Sequence, residues 1–135
     1  MSILLLQKQH EQINGIIQEI VTLTKDNLEE KSFEIALKIG QLAGVITVHL
    51  QSEDKFLYPN LLKHEKSLVR SMAASFTKEM GDLSKKFEVF KTTYKQPQNI
   101  KDNPQKFKQD LEKVVALLDR RIKREEVELY PLLGR

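Results

Sequence analysis

Read at steps of three and four residues, the chain carries four long apolar stripes, and no stretch alternates apolar with polar in the period of a strand. This periodicity is that of helices that bury one face each. The first stripe runs Ile3, Leu6, His10, Ile13, Ile17, Ile20. The second runs Ile35, Ile39, Leu42, Ile46, His49, Glu53, Leu57. The third runs Val69, Ala73, Phe76, Met80, Leu83, Phe87, Phe90, Tyr94. The fourth runs Phe107, Leu111, Val114, Leu118, Arg121, Glu125, Leu129, Leu132. Steps that mostly alternate between three and four are those of helices packed nearly parallel, so the pattern predicts an all-α, up-down-up-down four-helix bundle.

The punctuation agrees. Ser2 and Ser32 are candidate caps for the first two helices, Tyr58-Pro59-Asn60 a stop near the end of the second, and Ser67 the opening of the third. "QPQNIKDNP" is the one loop-like stretch of any length, and it ends in Asn103-Pro104, a cap followed by Pro at the first helical position. The predicted helices are 3–25, 32–62, 67–95 and 104–133, to within about three residues at each end. With 135 residues, the chain reads as one domain over 1–135.

Composition narrows the function. A net charge of +3, with lysines spread along the chain, does not argue for a nucleic-acid partner. The absence of Cys excludes disulfides and thiolate-held zinc or iron–sulfur sites. "SILLL" is too short for a signal peptide or a membrane span, and the expectation is a cytoplasmic protein with no membrane partner. No Gly-rich phosphate loop or activated nucleophile points to hydrolytic or transferase catalysis, so the chain is not expected to be an enzyme.

Five polar residues interrupt the apolar stripes: His10, His49, Glu53, Arg121 and Glu125. His49 and Glu53 stand one turn apart on one face, as do Arg121 and Glu125. At ~1.5 Å per residue, His10 and His49 both lie roughly 25 Å from the first interhelical loop, at one height in an antiparallel pair. The same reckoning puts Met80 level with Arg121. Two imidazoles and two carboxylates inside a bundle form a donor set for a metal, and neutral imidazole with carboxylate suits iron, manganese or zinc better than calcium or magnesium. A lone core His is more often a hydrogen-bonded residue, and a lone buried Glu is more often paired with a cation. Convergence at one level is what favours a metal. His64 falls off the stripe and reads as solvent-facing, while Tyr58 and Tyr130 read as packing beneath the site.

The chain also repeats itself. "HLQSEDKFLYPNLL" from His49 to Leu62 returns 72 residues later as "RIKREEVELYPLLG" from Arg121 to Gly134. With His10 in "QKQHEQI", these stretches resemble the hemerythrin family in its bacterial form, the HHE cation-binding domain, over the whole chain. The resemblance implies a bundle of two similar helix pairs, each with a His on its first helix and His-x-x-x-Glu on its second. It also implies a carboxylate-bridged di-iron centre that binds or responds to dioxygen, nitric oxide or peroxide. Carried over residue by residue, it assigns metal-binding roles to His10, His49, Glu53 and Glu125, with the two carboxylates in bridging positions.

The departures all fall in one half. Phe76, Met80 and Arg121 stand where the second pair would supply its histidines. Three readings follow. The preferred one is a single non-haem ion, iron first and manganese or zinc as alternatives, with a small diatomic molecule as candidate ligand. A second is the full di-iron protein that binds or senses oxygen or nitric oxide. The third is a metal-free bundle acting as an interaction or regulatory module. A buried guanidinium needs an acceptor. Arg121 is therefore expected to bond Glu125 and Glu53, taking the electrostatic place of a second metal.

Overall fold

The structure, a computed structural model, describes residues 3–134; the proposed cap Ser2 lies outside them. Six helices are present among the described residues: α1 (Ile3–Lys25), α2 (Ser32–Ser52), α3 (Tyr58–Leu62), α4 (Ser67–Tyr94), α5 (Pro97–Asp102) and α6 (Pro104–Arg124). Two π-turns, Glu53–Leu57 and Glu125–Leu129, carry α2 into α3 and α6 into a closing 3₁₀ turn, Tyr130–Gly134. The long helices form an up-down-up-down bundle in which α1 packs on α2 and α6, and α4 packs on the same two. No strand occurs among the described residues.

Helix starts follow local chemistry, with two corrections. Asn103 Oδ1 accepts the Lys106 backbone N–H at 3.1 Å, and Pro104 takes the first helical position, as the sequence predicts. Ser32 does not cap α2: it is the first helical residue, buried, and its hydroxyl donates to the Glu29 carbonyl at 2.9 Å. Ser67 opens α4 without a capping bond from any side chain. The stretch read as a loop, "QPQNIKDNP", contains α5, because Pro97 fixes the first turn and Ile100 is fully buried as a plug for the end of the bundle. Burying one such side chain is worth about 1.5–3 kcal/mol, enough to order a six-residue helix that would not form alone.

The core is split by a polar layer. The larger apolar cluster extends from Ile13 and Ile46 to the end closed by Tyr94, Ile100 and Phe107, whose rings meet edge to face at 4.8 Å between Tyr94 and Phe107. A smaller cluster, with Leu6, Leu57, Leu61, Ala73, Phe76 and Leu129, fills the opposite end. Between them, buried, lie Gln9, His10, His49, Glu53, Arg121 and Glu125. Ser32–Leu62 is long and apolar enough to cross a membrane by length and composition, yet it carries His49 and Glu53 in this layer and apolar core residues on either side of them.

Candidate metal centre

The π-turns set the geometry. Each begins at a Glu and ends before a Tyr-Pro, and the Tyr58 and Tyr130 N–H groups bond back five residues to the carbonyls of Glu53 and Glu125. Pro in the following position lacks an N–H and would press its ring on the carbonyl four residues back. The wider turn relieves that conflict. In an α-helix, residues five apart diverge by about 140°. The π bond instead stacks the tyrosine over the glutamate, so both face the core. Tyr130 Oη consequently lies 3.2 Å from Glu125 Oε1. Tyr130, expected to pack beneath the site, therefore stands in it.

His10 and His49 meet at their Nε2 atoms, 3.1 Å apart. Glu125 Oε1 lies 2.9 Å from His10 Nε2 and 3.4 Å from His49 Nε2, and Glu53 Oε2 is 3.4 Å from His49 Nε2. Tyr130 Oη donates to Glu53 Oε2 at 2.9 Å and sits 3.1 Å from His10 Nε2. One donor atom each of His10, His49 and Glu125 falls within 4.8 Å of the others. Donors around an ion at metal–ligand distances of about 2.0–2.2 Å are themselves about 2.8–3.6 Å apart, from octahedral to tetrahedral arrangements. The spacing here matches that figure, and the donor types suit a transition metal. Glu53 Oε1, fully buried, has no hydrogen-bond partner, a costly arrangement without a further ligand. The residues thus fit a metal ion.

The orientation of His49 is set behind the cluster. Ser52 Oγ donates to the Val48 carbonyl, so its lone pairs accept from Gln9 Nε2 at 3.0 Å. That leaves Gln9 Oε1 facing His49 Nδ1 at 2.8 Å, and the Nδ1–H donates to it. Nε2 is thereby the nitrogen offered to the cluster, the arrangement that outer partners impose on metal-binding imidazoles. Behind His10, the Glu126 carboxylate lies 3.5 Å from Nδ1. Gln9 and Tyr130 are members of this cluster that the sequence alone does not place there. Gln9 is one residue off the apolar stripe, and only its burial beside His10 marks it.

Arg121 occupies the other half of the layer. Its Nε donates to Glu125 Oε2 at 3.1 Å and its Nη2 to Tyr58 Oη at 2.8 Å, while the guanidinium lies over the Phe76 ring at 4.6 Å. The expected bond to Glu53 is not formed; Arg121 Nη2 goes to the Tyr58 hydroxyl instead. Glu79, at the bundle surface, lies 3.8 Å from Arg121 Nη1 and is held by Arg124. His64 stays away from the layer, half-buried, accepting the Lys66 backbone N–H at its Nδ1.

The charges sort themselves accordingly. Burial raises the Glu53 carboxyl, the hydrogen bond with His49 opposes this, and the charge of Glu125 adds to it, leaving Glu53 near 7. Burial alone would also raise Glu125. Hydrogen bonds with His10, His49 and Glu53 and the charge of Arg121 instead hold it far below the usual carboxylate range. Burial pulls His49 down, but hydrogen bonds with Glu125 and Glu53 and their charges reverse this and raise it to about 9. Without metal the layer thus favours a proton on His49 and draws one toward Glu53, against an ionised Glu125. An arriving cation must displace those protons.

A four-helix bundle whose core gathers imidazoles and carboxylates at one level defines a class, the helical-bundle cation-binding proteins. Within that class, the model of the hemerythrin HHE cation-binding domain matches residues 1–133, and the chain belongs to that family. No curated protein and no solved structure matches the chain.

Proposed function

We propose that the protein holds a single non-haem metal ion, iron in preference to manganese or zinc, through His10, His49, Glu53 and Glu125. The observation that carries this reading is the division of Glu125. Its Oε1 faces both imidazoles, and its Oε2 is taken by the Arg121 guanidinium. The carboxylate that the family resemblance puts between two metals stands here between one imidazole cluster and a fixed cation. Phe76, against that cation, offers no donor. Gln9 orients His49, and Leu6, Leu57, Phe76 and Leu129 exclude water from one side of the layer. A redox-active ion held there would supply affinity for a small diatomic ligand such as dioxygen or nitric oxide.

Elemental analysis of protein purified without a metal-affinity column tests the reading. One tightly bound ion per chain is the expected result, and two irons per chain would overturn it in favour of a di-iron centre. A second reading, a metal-free regulatory bundle, draws support from the hydrogen bonds and ion pairs within the layer, where besides Glu53 Oε1 only His10 Nδ1 and Arg121 Nη1 are without a hydrogen-bond partner among the buried side-chain N and O atoms of the described residues. That reading requires no bound metal and indifference to chelators.

A further inference from the structure

The internal repeat places a tyrosine in each half of the polar layer, and each reaches across to the other repeat. Under the repeat, Arg121 corresponds to His49, Glu125 to Glu53, and Tyr58 to Tyr130. In the half that carries its own cation, the Tyr58 oxygen accepts from the Arg121 guanidinium at 2.8 Å. In the other half, the Tyr130 oxygen lies 2.9, 3.1 and 3.2 Å from Glu53 Oε2, His10 Nε2 and Glu125 Oε1. Those are the separations of neighbouring donors around one ion, about 2.8–3.6 Å. Tyr130 is 1 % exposed, and its oxygen has no role toward solvent.

We propose that Tyr130 is a further metal-binding residue, whose phenolate oxygen joins the imidazoles and carboxylates and makes the centre selective for iron(III). The proposal rests on the reading of the cluster as a metal site. A phenolate is a hard, anionic oxygen donor, better matched to a trivalent iron than to zinc or to a divalent ion held by imidazole. Tyrosine serves iron in this way in catalase. On ligation one O–iron bond forms, the phenolic O–H breaks, and its proton leaves to solvent. No electron is transferred, because iron is supplied already as iron(III). The alternative is a tyrosine that only donates to Glu53 and holds that carboxylate in place. Removing such a tyrosine would lower affinity for every metal alike, and its presence would add no colour.

The test uses the full chain as wild type, Tyr130→Phe and Tyr58→Phe, each loaded with iron(III) nitrilotriacetate or with zinc(II). Metal per chain, visible absorption and resonance Raman spectra are recorded, with circular dichroism to confirm the fold. The wild-type iron(III) form is expected to show a visible phenolate-to-iron band with tyrosine ring modes, kept in Tyr58→Phe and absent in Tyr130→Phe. Iron(III) affinity should fall about tenfold or more in Tyr130→Phe, the scale seen when a metal site loses a supporting group, and zinc affinity by less. Iron bound to wild type without tyrosine modes, or modes that survive in Tyr130→Phe, would overturn the proposal and leave the metal site standing. Failure of wild type to take up either metal would overturn both. If Tyr130→Phe does not fold, the Raman modes of wild type and their persistence in Tyr58→Phe still decide the question.

Discussion

Replacing Arg121 by Met tests whether this guanidinium stands in for a metal. Met keeps the aliphatic bulk over Phe76 and removes the charge. What is lost is the bond to Glu125 Oε2, the bond to Tyr58 Oη, and the cation that holds Glu125 ionised in a layer where it is 1 % exposed. Removing one partner of a buried ion pair costs about 3–5 kcal/mol, because the other charge is left without compensation. For a chain of this size that is roughly 11–18 °C in Tm. Divalent metal should then stabilise the variant more than it does wild type, since Glu125 Oε2 is released to it. An ion at one hundred times its Kd contributes about 2.7 kcal/mol. Arg121→His should gain more still, having a neutral donor at that position. The assay is thermal unfolding of wild type and both variants in chelator and in iron(II), manganese(II) or zinc(II). An Arg121→Met protein as stable as wild type in chelator, with no added gain from metal, refutes the reasoning.

Further expectations are narrower. His49→Ala removes one of the two imidazole donors and should weaken metal binding by about a hundredfold or more while helical circular dichroism persists; elemental analysis showing unchanged metal after dialysis against chelator would place the ion elsewhere. Asn103→Ala should cost about 1 kcal/mol in urea unfolding by removing the cap on α6. Asp110 is raised by burial but lowered overall by hydrogen bonds from Tyr94 and Lys106, so its stabilising effect is complete above the unfolded carboxylate pKa and is lost as pH falls through the lower folded one. Tyr94→Phe should therefore cost about 1 kcal/mol near neutral pH, discounted for the partial exposure of Asp110, and the deficit should shrink below about pH 4 in a urea titration.

The period of the apolar residues determined the four long helices by itself, because burial of one face is a local property of spacing. α6 begins where the Asn103-Pro104 signal puts it. The polar interruptions also identified which residues share the middle layer, since helix length fixes height, and His10 and His49 do meet there. Which atoms touch was decided only by the tertiary structure. Rotation and stagger of four helices gave Glu53 to Tyr130 and Arg121 to Tyr58, and neither pairing is encoded within one helix. The π-turns belong to the same order. A single wide turn before each Pro inserts about one extra residue, roughly 100° of rotation, and carries the tyrosine from the side that α-periodicity assigns it into the core. Ile100 made a helix of an apparent loop for a similar reason, since the end of the bundle it closes exists only once the other helices have assembled.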